Sequence, residues 1–104
     1  MHARMATYSF SGDAHELASR AEQGILPILR EQPGFQGYSV SQGDGQIFSL
    51  SAWNTKSDAE AGNAAVASWV AANMADDLDL IDVRFAEILF STSLGVSTSV
   101  GATA

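Results

Sequence analysis

The stretch 32–60, QPGFQGYSVSQGDGQIFSLSAWNTKSDAE, constrains the fold more than any other part of the chain. Pro33-Gly34 stops a helix, because proline cannot donate to the preceding turn and glycine accepts the left-handed backbone of a C-terminal cap. Two short alternating runs follow, about 35–42 and 46–54, separated by Gly43-Asp44-Gly45. Asp-Gly tolerates the positive φ angles of a tight hairpin, so the runs read as antiparallel strands. Ser57-Asp58-Ala59-Glu60 has the form of a capping box and opens a helix.

The flanks complete the pattern. Residues 2–10 alternate as a strand, with Ala3, Met5, Thr7 and Ser9 on one face and His2, Arg4, Ala6, Tyr8 and Phe10 on the other. Asp13, three residues before Glu16, caps a first helix whose apolar stripe is Leu17, Ala18, Ala21, Ile25, Ile28 and Leu29. Pro27 predicts a bend in its last turns. The second helix, alanine-rich with Val66, Trp69 and Val70, decays near Met74 into an acidic connector over 75–79. A fourth strand covers about 80–90. Val83, Phe85, Glu87 and Leu89 lie on one of its faces; Asp82, Arg84, Ala86, Ile88 and Phe90 lie on the other. The order is βαββαβ, an α+β ferredoxin-like domain over residues 1–90 with a four-stranded antiparallel sheet. Residues 91–104 form a Ser/Thr/Gly-rich tail with no charged side chain. It is either flexible or packed on a partner subunit, since Leu94, Val96, Thr98 and Val100 keep a period of two.

Composition narrows the function. A chain of 104 residues makes one domain with one modest core. A formal net charge of −7, with Arg4, Arg20, Arg30, Lys56 and Arg84 scattered among more numerous acids, argues against nucleic acid and anionic membrane surfaces. No cysteine is present, which removes disulfides and thiol chemistry. The N-terminus lacks the apolar core of a signal peptide, and no apolar run reaches the roughly 20 residues of a membrane span. A cytoplasmic protein is expected. Two helices cover only one face of a four-stranded sheet, yet both faces of strand four carry large apolar groups. Packing against a second copy, sheet on sheet, is the economical solution, so a homodimer is expected.

The opening strand ARMATYSF, the helix end ILPILREQPGF and the passage SAWNTKSDAE resemble those of the antibiotic-biosynthesis-monooxygenase-like domains, within the dimeric α+β barrel superfamily. The resemblance covers residues 1–90. It implies pairing as a dimeric barrel. It also implies cofactor-independent oxygenation of a small phenol, quinol or anthrone, with no cofactor and no metal. The alternative is a non-enzymatic dimer that binds a small ligand or serves assembly. Haem-degrading members of the family carry an Asn on strand one, a Trp early in helix two and a His about three turns later. Here those places hold Thr7, about Gly62 and about Ala72, and none matches.

Five side chains are the candidates. Tyr8 has a phenol able to donate to a substrate oxygen, and Asn63 an amide able to steady a developing oxyanion; these two are the catalytic candidates. Trp69 is placed to roof a cavity beneath helix two, with core packing as its plainer role. Arg4 or Arg84 is the charge partner for an anionic substrate, with a cross-strand ion pair to Asp82 or a partner's carboxylate as the plainer role of Arg84. Trp53 reads as a packing anchor. His2 and His15 are at no metal-ligand spacing, and Asp76, Asp77, Asp79 and Asp82 read as a solvated cluster. No residue in this set is an evident general base.

Overall fold

A computed structural model describes residues 1–98 of the chain. The elements run β1 (His2–Phe10), α1 (Ala14–Glu31), β2 (Phe35–Gly43), β3 (Gln46–Trp53), α2 (Lys56–Asn73) and β4 (Leu78–Glu87). All strand pairings are antiparallel, and the sheet order is β2-β3-β1-β4. This is the expected ferredoxin-like α+β fold. Both helices pack on one face of the sheet and leave the other open.

Local chemistry explains most boundaries. The Asp13 carboxylate accepts from the backbone N–H of His15 at 2.8 Å and of Glu16 at 3.4 Å, which fixes the start of α1. The helix runs unbroken through Pro27. Pro27 and Gln23, whose carbonyl loses its donor there, both lie on the exposed side, so water meets the freed group. The hairpin turn takes φ of 53° at Asp44 and 74° at Gly45, as the Asp-Gly pair predicts.

Three boundaries differ from the sequence reading. Thr55, not Ser57, caps α2: its Oγ1 accepts from the Asp58 N–H at 3.1 Å. TKSD and SDAE are overlapping capping patterns. The first prevails because the Asn54 N–H donates to the Gly34 carbonyl at 2.9 Å, pinning the chain just past β3. β4 begins at Leu78 rather than about 80, because β1 extends to Phe10 opposite it and the Ser11 N–H donates to the Asp77 carbonyl at 3.0 Å. It ends at Glu87. The third difference is the tail. Ser91 and Val96 close a tight turn through backbone bonds of 2.8 and 3.0 Å, so Leu94 and Val96 do not share a strand. Val100 lies outside the described residues.

The core lies between helices and sheet. One cluster gathers Ile25, Leu29, Trp53 and Val66; the other gathers Ala6, Tyr8, Leu17, Ile47 and Met74. Trp53 is fully buried, its ring edge-on to Phe35 at 5.5 Å and its Nε1 donating to Ser51 Oγ at 2.9 Å. It is the packing anchor the sequence suggested. The open face differs. Met5, Phe48 and Leu50 remain 39%, 38% and 44% exposed there. Among the described residues no helix is long and apolar enough to cross a membrane.

Candidate functional site

β1 turns Arg4, Ala6 and Tyr8 toward the helices, and β3 turns Ile47, Ser49 and Ser51 the same way. Ala6 is small, which leaves the Arg4 side chain room to lie along the strand. Arg4 is only 2% exposed. Nε donates to Asn63 Oδ1 of α2 at 2.8 Å, Nη1 to Ser49 Oγ at 3.0 Å, and Nη2 to Tyr8 Oη at 3.1 Å. All three acceptors are neutral. The ion pairs among the described residues join His15 to Asp13, Arg20 to Asp77 and Arg84 to Asp82, so no carboxylate faces Arg4. Burying a charge costs several kcal/mol (order of magnitude), and neutral dipoles offset only part of it. Among the described residues Arg4 is therefore a buried cation compensated by neutral dipoles alone.

Beside it lies a cavity of about 20 Å³ between the helices and the sheet. Tyr8, Tyr38 and Ser49 form its polar end, and Leu17, Ile25, Val66 and Val70 are among its apolar walls. A volume of that size holds about one water. An outer groove of about 210 Å³ shares Ala18, Val40 and Ile47 with it and is bordered by His15, Ser41 and Gln42. Those three residues line both spaces and stand between them. Burial pushes the Tyr38 phenol above its ordinary range, while its hydrogen bond to Ser49 and the Arg4 charge pull it partly back.

Of the five candidates, the fold brings together Arg4, Tyr8 and Asn63. It separates Trp69 and Arg84 from them. The Trp69 ring lies against Gly24 of α1, where an added Cβ would fall inside it, and does not line the inner cavity. Arg84 sits on the open face opposite Met5, its Nε donating to Asp82 Oδ2 at 2.7 Å with 75% of the side chain exposed. Asp82 is one of the partners anticipated for its plainer role, but the pair runs along β4 rather than across strands. Tyr38 and Ser49 were missed. Their signal was present in β3, where Ser49 and Ser51 stand between Ile47 and Trp53 on one face, two small polar groups in a row that otherwise belongs to the core. Gly62 also explains why no tryptophan stands early in α2: the Trp53 ring occupies the space a side chain would need.

No protein-family model matches the sequence, and no curated protein matches it either. Solved structures do match in fold. A proposed antibiotic biosynthesis monooxygenase from Nitrosomonas europaea superposes with a TM-score of 0.66 at 19% identity, over 86% of this chain and 100% of that one. SnoaB, a cofactor-independent oxygenase from Streptomyces nogalater, gives 0.68 at 11% identity, over 88% and 95%. A protein of unknown function from N. europaea gives 0.70 at 15% identity, over 88% and 91%. At these identities the likeness speaks to fold alone: the chain shares the ferredoxin-like α+β fold of these proteins.

Proposed function

We propose that the chain is a cofactor-independent oxygenase of a small phenol, quinol or anthrone. The observation that carries this reading is the buried Arg4, with no carboxylate partner among the described residues, behind the Tyr8 and Ser49 hydroxyls that it hydrogen-bonds at the polar end of a cavity otherwise walled by apolar side chains. The ring lies in the outer groove and its oxygen reaches the polar end once Ala18, Val40 and Ile47 part. Loss of one proton to solvent gives an anion with carbanion character. That anion reduces dioxygen directly. For an anthrone, the reacting CH2 becomes C=O and the second oxygen atom leaves as water, so both electron pairs come from the substrate. The protein excludes water, orients the ring and steadies the anion through Arg4, Tyr8 and Asn63. None of the groups lining the inner cavity is needed as a base if the substrate is acidic enough to ionise unaided.

The open face belongs to the same proposal. Met5, Phe48 and Leu50 are apolar and exposed there, and a second copy packed sheet to sheet would cover them, giving a homodimer. Oxygen uptake with anthrone or 1-naphthol, measured with an electrode, tests the activity. Uptake that saturates with substrate and is lost in Arg4→Met supports it; no uptake above the buffer rate removes it. A second reading, a non-enzymatic module for ligand binding or assembly, is favoured by the small inner cavity and by the packing of Trp69 on Gly24.

A further inference from the structure

A guanidinium donates and never accepts. Tyr8 Oη and Ser49 Oγ therefore both receive hydrogens from Arg4, at 3.1 and 3.0 Å. Neither can return one to it. Tyr38 is hydrogen-bonded to Ser49, and that bond uses one of the two hydroxyl hydrogens, whichever way it runs. Tyr8, Tyr38 and Ser49 together carry three hydroxyl hydrogens. One is used between Tyr38 and Ser49. The other two have no protein acceptor among the described residues, and all three hydroxyl-bearing side chains line the inner cavity.

We propose that this cavity is an oxyanion hole of two hydroxyl hydrogens, one from Tyr8 and one from the Tyr38–Ser49 pair, which selects ligands presenting an ionised oxygen. The inference rests on the reading above for the aromatic ring in the outer groove, and adds what the inner space recognises. A volume of about 20 Å³ admits one oxygen-sized group and no more. A ligand hydroxyl could accept the same two hydrogens and donate its own to a spare hydroxyl lone pair, but it brings no charge to answer Arg4. An oxyanion brings lone pairs and a charge opposite to that of Arg4. Burial holds the Tyr38 phenol protonated at neutral pH, so the pair keeps its donors. The charged and titratable groups nearest the hole are Arg4, Tyr8 and Tyr38, with His15 only at the outer groove and no carboxylate lining either space. Tyr38 and Ser49 thereby join Arg4 as determinants of ligand charge.

The test uses 4-nitrophenol, whose anion absorbs in the visible, titrated with and without excess protein. The wild-type protein is expected to lower the nitrophenol midpoint by about one pH unit, a tenfold preference for the anion. 4-Nitroanisole, which cannot ionise, is expected to bind about tenfold more weakly than the nitrophenolate. Tyr38→Phe, with native circular dichroism, is expected to bind the anion about tenfold more weakly than wild type. An unmoved midpoint overturns the proposal, as does a folded Tyr38→Phe that binds the anion like wild type. Should that variant not fold, the nitroanisole comparison on wild type decides alone: equal binding of ether and phenolate overturns the proposal. Oxygen uptake is read separately. Anion preference without oxygen uptake keeps the hole and removes the oxygenase; uptake without anion preference does the reverse.

Discussion

Arg4 and Arg84 sit on adjacent strands of one sheet and differ in nearly everything else. Arg4 faces the helices, is 2% exposed and has three neutral partners. Arg84 faces the open side, is 75% exposed at its side chain and has a carboxylate at 2.7 Å. The exposed arginine, which water already solvates, has the counter-ion; the buried one, which needs it, has none among the described residues. In a stability-only design the reverse would hold, since an exposed pair contributes little and a buried unpaired charge costs much. The proposed roles of the two faces, ligand binding on the covered one and assembly on the open one, rest on that asymmetry.

Substitutions can break or sharpen that contrast. The largest expected effect is on the covered side. Gly62→Ala would drive a methyl group into the fully buried Trp53 ring and is expected to destabilise by about 1–3 kcal/mol in urea unfolding. A neutral result would mean that the interior around Trp53 yields more than the fold suggests. On the open side, Leu50→Asp is expected to leave monomer stability within about 0.5 kcal/mol, because Leu50 is 44% exposed. It is expected to convert the proposed dimer to monomer in sedimentation. Wild type sedimenting as a monomer would remove the assembly role of that face.

Alkaline pH offers a finer probe. Tyr38 titrates above its ordinary value of 10.0 when folded. The unfolded chain then loses that proton first, so the stability Tyr38 contributes is complete below about pH 10 and is lost as pH rises through the folded value. Tyr38→Phe is expected to flatten the alkaline fall in melting temperature, and an unchanged slope would place Tyr38 in water. The smallest effect belongs to Arg84→Gln, which is expected to match wild type in both unfolding midpoint and nitrophenol binding. A loss of binding there would put the open face into the site.

Much of this was legible before the structure. Pro33-Gly34, Asp44-Gly45 and Asp13 named their turns and cap because each acts through local backbone chemistry. Arg4, Tyr8 and Asn63 were each readable as candidates, but nothing local says that Arg4 meets Asn63, 59 residues away. Only the register that sets β1 beside β3 under α2 makes that contact. Tyr38 and Ser49 escaped for the same reason: each looks like an ordinary strand residue until the pairing places both beside a cation. The choice of Thr55 over Ser57 was also illegible, since both match the same pattern and a tertiary hydrogen bond from Asn54 selects between them.

The central claim is that Arg4 costs the folded protein stability and is kept for an anion. The measurement that meets it most directly is the urea unfolding of Arg4→Met beside wild type, in buffer free of multivalent and aromatic anions. Replacing buried charge with apolar volume is expected to leave stability unchanged or raise it by about 1–3 kcal/mol, with nitrophenolate binding lost. A loss of about 3 kcal/mol or more would show that the guanidinium and its three neutral acceptors are structural cement, and the claim would fall.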